Sequence, residues 1–106
     1  MRRLSSKRAK ALAISPKTKK AVYERDGGLC VYCHAPGLPE AHYIARSHSG
    51  LGIEQNILTL CRRCHDLYDR GPRQTREHMR RVFRDYLSGK YLDWDEDQLI
   101  YRREQC

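Results

Sequence analysis

Residues 29–33 read LCVYC and residues 60–65 read LCRRCH, and these two stretches decide the fold. Each contains one Cys-x-x-Cys pair, Cys30 with Cys33 and Cys61 with Cys64. Such a pair presents two sulfur atoms on one side of a tight turn, so two pairs together can complete a tetrahedron around Zn²⁺. Four thiolates leave the zinc no open position for water, which predicts a structural ion rather than a catalytic one.

The length and composition indicate one small domain in a reducing compartment. The chain has 106 residues, a size at which a bound metal helps to stabilise a modest core. No apolar run approaches the length of a membrane span, and no apolar stretch follows the basic N-terminus as in a secretory signal. We therefore expect a cytoplasmic protein that contacts no membrane and uses its cysteines as metal ligands rather than in disulfides.

The net charge of +8 comes entirely from the first twenty residues. They carry eight of the 21 basic residues and no acidic one, so the remaining 13 basic residues balance the 13 acidic residues. A solvated tail is one interpretation, and an arm that binds nucleic acid and releases counterions is the one we favour. These basic residues are Arg2, Arg3, Lys7, Arg8, Lys10, Lys17, Lys19 and Lys20.

Turn signals and hydrophobic periodicity divide the chain into a basic arm over residues 1–14, a zinc-bearing core over 15–72 and a helical extension over 73–106. In the core they predict a helix from Pro16 to Asp26, strands over 29–33 and 41–45, a second segment over 53–61 that ends in the second cysteine pair, and a helix from Cys64 to Gly71. In the extension they predict a helix from Thr75 to Leu87, closed by Gly89, and a weaker helical pattern over 94–105.

The residues between and around the two cysteine pairs resemble the HNH nucleases, also called ββα-metal or His-Me finger nucleases. The family pattern starts with Asp or His followed by His-Ile, continues with an Arg/Leu-Ser-x-Gly-Gly loop and an asparagine, and ends with Leu-Cys-x-x-Cys followed by His or Asn. The matching residues lie within 25–70 and are His42, Arg46, Ser47, Gly50, Asn56 and the stretch 60–65. The resemblance implies an α+β fold, a ββα-metal core with a Zn(Cys)4 knuckle pair, flanked by N- and C-terminal helices.

Two registers of this pattern are possible. In the gapless register AHYI (residues 41–44) matches Asp-His-Ile-Ile, which makes His42 the catalytic histidine and puts Ala41 in the place of the first metal ligand. In the other register Tyr43 takes the place of the base, at the cost of a one-residue deletion. We prefer the gapless register. A methyl group cannot bind a cation, so either Glu40 reaches in, or the metal has fewer protein ligands and more water, or the site is inactive.

The resemblance also implies a role for each matched residue. His42 would take the proton from water, for which a neutral imidazole is suited near pH 7. Asn56 would orient the loop and the base, and Arg46 could clamp the scissile phosphate. A catalytic divalent cation, Mg²⁺, Mn²⁺ or Ni²⁺, would bind His65. Asp69 follows at i+4 on the same helix face and is a second candidate ligand, although it could instead pair with a nearby arginine. Glu40 is a third.

These roles predict a metal-dependent HNH endonuclease that nicks or cuts double-stranded DNA and leaves 5′-phosphate and 3′-hydroxyl ends. Arg76 and Arg80 are expected to add contacts to the DNA backbone. Small stand-alone members are frequent in bacteriophages, so the resemblance implies a phage or prophage origin. The main rival is a catalytically impaired, zinc-stabilised DNA-binding module, which Ala41 favours. A further interpretation is an accessory subunit of a phage packaging complex beside a terminase, and the oligomeric state could be monomer or dimer.

Overall fold

The computed structural model describes residues 6–102, in which helices pack on a two-stranded antiparallel sheet. The elements are α1 (Ser6–Leu12), α2 (Pro16–Asp26), β1 (Leu38–His42), β2 (Ile57–Leu60), α3 (Arg62–Arg70) and α4 (Arg73–Lys90). Short 3₁₀ turns lie at Arg46–His48, Glu54–Asn56 and Glu96–Leu99. The succession β1, β2, α3 is the ββα unit, so the predicted α+β class is confirmed. No helix in residues 6–102 combines the length and apolarity needed to span a membrane.

Helix α2 begins and ends where the sequence predicts. The hydroxyl of Ser15 accepts the N–H of Thr18 at 3.1 Å, and Pro16 occupies the first turn. Gly27 ends the helix in the left-handed conformation, at a φ of 66°. Val22 is fully buried, because α2 packs its apolar side against the sheet.

Strand β1 is shifted relative to its prediction. It was expected over residues 41–45, but it spans Leu38–His42 and pairs His42 with Ile57 of β2. The strand ends at His42 because the next two main-chain N–H groups bond to Asn56, one to its carbonyl and one to its side-chain oxygen. Beyond His42, the side chain of Asn56 therefore replaces the β2 main chain as the hydrogen-bond partner of this segment.

Residues 29–33 form a turn, so the strand predicted there is wrong. The N–H of Cys33 points at the sulfur of Cys30, and the N–H of His34 bonds to the carbonyl of Cys30 at 2.9 Å. Two sulfur atoms can face one point only if the chain reverses between them. That requirement outweighs the β propensity of the apolar residues inside the pair.

Helices α3 and α4 both extend beyond their predicted limits. Helix α3 begins at Arg62, before Cys64, because the sulfur of Cys61 caps it by accepting the N–H of Cys64 at 3.4 Å. Helix α4 continues through Gly89, which was expected to close it, and ends at Lys90. A glycine ends a helix only where the chain turns into the left-handed conformation, and here it does not.

The C-terminal segment departs furthest from its prediction. In place of a helix over 94–105, a single 3₁₀ turn at Glu96–Leu99 leads into an isolated bridge between Ile100 and Gly50. The carbonyl of Leu99 also accepts a main-chain N–H of the loop after β1 at 2.8 Å. The extended course is favoured because it satisfies main-chain groups of both segments. Residues 103–105 lie outside the described residues.

One hydrophobic core joins the ββα unit to α4. Met79, Phe83 and Leu87 are fully buried on one face of α4, as the spacing of apolar residues predicts. Tyr68 of α3 packs edge-on against Phe83, with ring centroids 4.9 Å apart. Helix α4 therefore packs its apolar face against α3 and the sheet, and its polar face stays available to border a site.

Candidate active site and metal centre

The four cysteines predicted to bind zinc come together. Their sulfur atoms lie within 4.8 Å of one another, and those of Cys33 and Cys61 are 3.6 Å apart. Zn–S bonds of about 2.3 Å in a tetrahedron separate the sulfurs by about 3.8 Å, so this spacing suits zinc. The N–H groups of Cys33 and Cys64 point at the sulfurs of Cys30 and Cys61, each at 3.4 Å, which stabilises the thiolates. The cluster is a zinc-type metal site.

A cavity of about 740 Å³ lies between β1, the loop after it, α3 and α4. It brings together five predicted site residues from three elements, Glu40 and His42 of β1, Arg46 of the loop, and His65 and Asp69 of α3. Two arginines of α4 that were predicted to contact DNA line the same cavity, Arg76 and Arg80, together with Arg73. The candidate catalytic and phosphate-binding groups therefore share one surface.

The alternation of side chains along β1 explains the alanine in the family's metal-ligand position. Glu40 and His42 line the cavity, whereas Ala41 is only 1% exposed and belongs to the hydrophobic core. A carboxylate at position 41 would be buried in apolar surroundings. Position 41 thus serves packing, and Glu40 is the acidic residue that this strand presents to the cavity.

The three predicted ligands of a catalytic cation do not converge. A carboxylate oxygen of Glu40 lies 3.8 Å from the ammonium nitrogen of Lys19. Within residues 6–102, the cysteine cluster is the only set of three or more His, Cys, Asp or Glu side chains close enough to share an ion. His65 and Asp69, one helical turn apart on α3, could still hold a hard cation that completes its shell with water.

His42 is partly buried where β1 meets the end of α1. Its Nε2 atom lies 2.9 Å from the carbonyl oxygen of Leu12. Burial lowers the pKa of His42, the carbonyl of Leu12 raises it, and the charges of Arg46 and His65 lower it, so the pKa lies below its ordinary value. The imidazole is therefore neutral near pH 7 and able to accept a proton.

Tyr43, which the alternative register puts in the place of the base, is 1% exposed. Its hydroxyl donates to a carboxylate oxygen of Glu96 at 3.0 Å, and the guanidinium of Arg80 lies 4.9 Å from the centre of its ring. Burial raises the pKa of Tyr43 above its ordinary value. A buried phenol that already donates its proton is a poor general base, so the geometry favours the register with His42.

Asn56 holds the loop after β1 from inside. Its side-chain oxygen accepts the N–H of Ile44 at 2.9 Å, and its amide nitrogen donates to the carbonyls of Ile44 at 3.2 Å and Leu51 at 2.8 Å. Gly50 allows the same closure, because a Cβ there would lie 1.7 Å from the carbonyl oxygen of Ile44. Asn56 is fully buried and does not line the cavity, so its side chain contacts the loop and not the cavity.

The basic residues near the N-terminus occupy two helices. Lys7, Arg8 and Lys10 lie on α1, and Lys17, Lys19 and Lys20 lie on α2, whereas Arg2 and Arg3 fall outside the described residues. Helix α1 is packed against the core, because Leu12 is 2% exposed and the guanidinium of Arg8 donates to the hydroxyl of Ser49 at 3.1 Å. The described part of the predicted arm is therefore docked beside the cavity.

A family model described as HNH endonuclease matches residues 30–71. The matched segment runs from the first zinc cysteine to the end of α3 and contains His42, Asn56 and His65. Residues 30–71 are therefore similar to an HNH endonuclease domain, and this segment is called the HNH domain below. No curated protein and no solved structure matches the chain at a significant level. The HNH domain implies a nuclease-type activity on a nucleic acid.

Three further residues contribute to the surroundings of the HNH cavity, and a sequence pattern could have identified only one of them. Arg73 continues the three- and four-residue steps of Arg76 and Arg80, so the helical pattern could have identified it. Leu12 contributes a main-chain carbonyl, which no side-chain pattern can reveal. Tyr68 donates its hydroxyl to the carbonyl of Tyr43 at 2.7 Å, a contact that depends on how α3 packs on the end of β1.

Proposed function

We propose that this protein is a metal-dependent endonuclease that hydrolyses phosphodiester bonds of double-stranded DNA. The observation that carries the proposal is the cavity in which a neutral His42 meets Arg46 and His65. A general base, a phosphate-binding guanidinium and a metal-ligating imidazole are the groups that hydrolysis of a phosphodiester requires.

In the proposed reaction His42 accepts one proton from a water molecule. The water oxygen forms a bond to phosphorus, and the bond between phosphorus and the 3′ oxygen breaks, which leaves a 5′-phosphate and a 3′-hydroxyl after the 3′ oxygen takes a proton from solvent. Arg46, exposed at the cavity edge, can donate two parallel N–H groups to the phosphate. A bound divalent cation, Mg²⁺, Mn²⁺ or Ni²⁺, would supply neutralisation of the charge that develops on the phosphate and the leaving oxygen.

The proposed ligands of this cation are His65 and Asp69. They come from successive turns of α3 and both line the cavity. An imidazole and a carboxylate suit a divalent ion that keeps several waters. Glu40 is left out of the proposed set because its carboxylate is paired with Lys19.

Double-stranded DNA is the proposed substrate because positive charge surrounds the cavity. Arg46 and three arginines of α4, Arg73, Arg76 and Arg80, line the cavity, and α1 and α2 carry further exposed lysines. Contacts of this kind bind phosphates without reading base sequence. We therefore expect affinity that falls steeply with salt and little preference for a particular sequence.

A non-catalytic, zinc-stabilised DNA-binding module is the second candidate. One observation favours it, namely that Glu40, His65 and Asp69 do not form a three-ligand set. An accessory role beside a phage terminase, a phage or prophage origin and a cytoplasmic location stay predictions, as does the choice between monomer and dimer.

The deciding experiment is relaxation of supercoiled plasmid by zinc-loaded protein, with and without added Mg²⁺, Mn²⁺ or Ni²⁺. Cleavage should require the added cation and should fall at least about a hundredfold in His42→Ala. His78→Ala is the matched control, because His78 is exposed on α4 and does not line the cavity. DNA binding without cleavage under every cation would reject the nuclease and support the binding module.

A further inference from the structure

Helix α1 ends in two main-chain carbonyls that the HNH domain satisfies. The last carbonyls of a helix have no partner within that helix. The carbonyl of Ala11 accepts the N–H of Gly52 at 2.9 Å, and the carbonyl of Leu12 lies 2.9 Å from Nε2 of His42. Both partners belong to the matched segment 30–71, whereas α1 lies outside it.

The contact with Leu12 fixes which nitrogen of His42 carries the proton. A carbonyl oxygen can only accept a hydrogen bond, so the Nε2 atom that faces it must be protonated. In the neutral ring the other nitrogen, Nδ1, then has the lone pair. Without a partner for Nε2, the two neutral tautomers would interconvert and only part of the population would present Nδ1 as a base.

Several contacts hold this carbonyl in place. The side chain of Leu12 is buried, and Arg8 donates to the carbonyl of Arg46 at 3.4 Å as well as to Ser49. Ser49 adopts a φ of 65°, a conformation that glycine adopts at lower cost, and its hydroxyl is the group that Arg8 contacts. At Gly52 a Cβ would lie 2.0 Å from the carbonyl oxygen of Ala13, so the loop and the end of α1 fit without spare room.

We propose that Leu12 is a positioning residue of the nuclease. Its carbonyl, delivered by α1, holds neutral His42 as the Nε2–H tautomer and leaves Nδ1 to take the proton of the attacking water. The proposal rests on the proposed function, since it refines the role of His42 as the base. It makes α1 part of the active site, although α1 lies outside the HNH domain.

The test weakens the Leu12 carbonyl without changing any side chain. A synthetic segment 1–29 is ligated to a recombinant segment 30–106, for which Cys30 supplies the ligation thiol. Replacing the Leu12–Ala13 amide by an ester, with lactate at position 13, turns the Leu12 carbonyl into a poorer acceptor. It also removes the N–H of Ala13, which bonds to the carbonyl of Ala9. A second ester, with lactate at position 11, is the control for losing one N–H in α1.

Two readouts are expected to change together in the ester at position 13. The first readout is a two-bond ¹H–¹⁵N spectrum of protein labelled with ¹⁵N-histidine, in which the His42 signals are assigned with the His42→Gln variant. The ligated all-amide protein should show the Nε2–H tautomer of His42. The ester at position 13 should show a larger share of the Nδ1–H tautomer than the all-amide protein. The kcat for plasmid cleavage should fall about fivefold with KM unchanged, as expected for the loss of one neutral hydrogen bond. The control ester should change neither readout.

The outcomes separate the two proposals. An all-amide protein with His42 in the Nδ1–H form, or an ester at position 13 with unchanged tautomer and kcat in a cleaving enzyme, overturns the role of Leu12 and leaves the nuclease standing. An all-amide protein that cleaves no DNA under any cation overturns the proposed function, and with it the role of Leu12 in catalysis.

Discussion

Arg25 and Asp26, neighbours in the sequence, form a two-point ion pair, with Nε 2.7 Å from Oδ1 and Nη2 3.0 Å from Oδ2. Their side chains are 11% and 0% exposed. The guanidinium also donates to two main-chain carbonyls next to and within β2, at 2.8 Å and 2.7 Å. The carboxylate accepts the N–H of Thr59 at 2.9 Å and the hydroxyl of Tyr86. The pair thus ties the end of α2 to β2 and to α4.

The first prediction concerns removal of the acidic partner. Asp26→Ala should lower the free energy of unfolding by about 3–5 kcal/mol, because it leaves the guanidinium of Arg25 buried without a counter-charge. Urea unfolding of the zinc-loaded protein at neutral pH measures the change. Asp66→Ala is the control, since Asp66 is exposed on α3, and it should change the stability by less than about 0.5 kcal/mol. If Asp26→Ala lowered the free energy of unfolding as little as the control does, the pair of Arg25 and Asp26 would not stabilise the fold.

The second prediction concerns alkaline pH. Burial, the hydrogen bond to Asp26 and the negative charge of Asp26 outweigh the opposing effect of Arg25 and raise the pKa of Tyr86 to about 12. The folded state therefore holds the phenolic proton more tightly than the unfolded state, in which the pKa is about 10. The phenolic proton of Tyr86 therefore contributes fully to stability at pH values below the pKa of the unfolded state. This contribution is lost as the pH rises through the pKa of the folded state.

Tyrosinate absorbance provides the measurement for Tyr86. The titration curve of the wild-type protein minus that of Tyr86→Phe isolates this one phenol. The difference curve should have its midpoint near pH 12. A midpoint near the ordinary tyrosine value of about 10 would show that the phenol is not held by Asp26.

The sequence predicted the parts of the fold that depend on local chemistry. The cap at Ser15, the turn at Gly27 and the spacing of the cysteines each act within a few residues, and each was predicted in its correct place. The helical face of α4 followed from the spacing of its apolar residues. The HNH pattern added the order of the ββα unit, which composition alone does not give.

The features that the sequence did not predict depend on contacts between distant segments. The sequence predicted Asp26 only as the end of a helix, and only the approach of β2 and α4 gives its carboxylate the N–H of Thr59 and the hydroxyl of Tyr86. The bridge of Ile100 to Gly50 and the contact of Leu12 with His42 join segments far apart in the chain. Periodicity and turn signals do not carry such information, because they describe one segment at a time.

The third prediction is that zinc is required for folding. Cys61→Ser should abolish stoichiometric zinc binding and the cooperative thermal transition, because the sulfur of Cys61 both binds the metal and caps α3. Metal analysis and circular dichroism on the same sample measure both effects. Cys106→Ser is the matched control and should bind one zinc and melt as the wild type does. A cooperative transition that survives complete removal of zinc would contradict a structural role.

The fourth prediction separates packing from metal binding at position 41. If Ala41 marked a lost ligand, Ala41→Asp would strengthen cation binding and cleavage. Because Ala41 belongs to the core, opposite Leu58 of β2, we expect instead that Ala41→Asp lowers the free energy of unfolding by about 2–4 kcal/mol. Urea unfolding and cation-dependent cleavage, both measured on Ala41→Asp, decide between a lost metal ligand and a packing position. Ala45→Asp, in the loop that lines the cavity, is the control for adding a carboxylate near the site.

The fifth prediction concerns the basic N-terminal region. Deleting residues 1–14 would remove the buried Leu12 together with the charges, so the arm is better tested by substitutions that keep α1 docked. Lys7 and Lys10 are exposed, and the double variant Lys7→Gln, Lys10→Gln should fold normally. The slope of log K against log salt for duplex DNA should become shallower by about 0.9 for each phosphate that the variant no longer neutralises.

The control for this variant makes the same change of charge elsewhere. Lys90→Gln with Arg102→Gln removes two positive charges at the end of α4 and in the C-terminal segment. Because counterion release counts only the cations that touch phosphates, this pair should leave the slope unchanged and alter the affinity only slightly. Equal slopes for both double variants would mean that Lys7 and Lys10 act through net charge alone, and α1 would then have no direct contact with DNA.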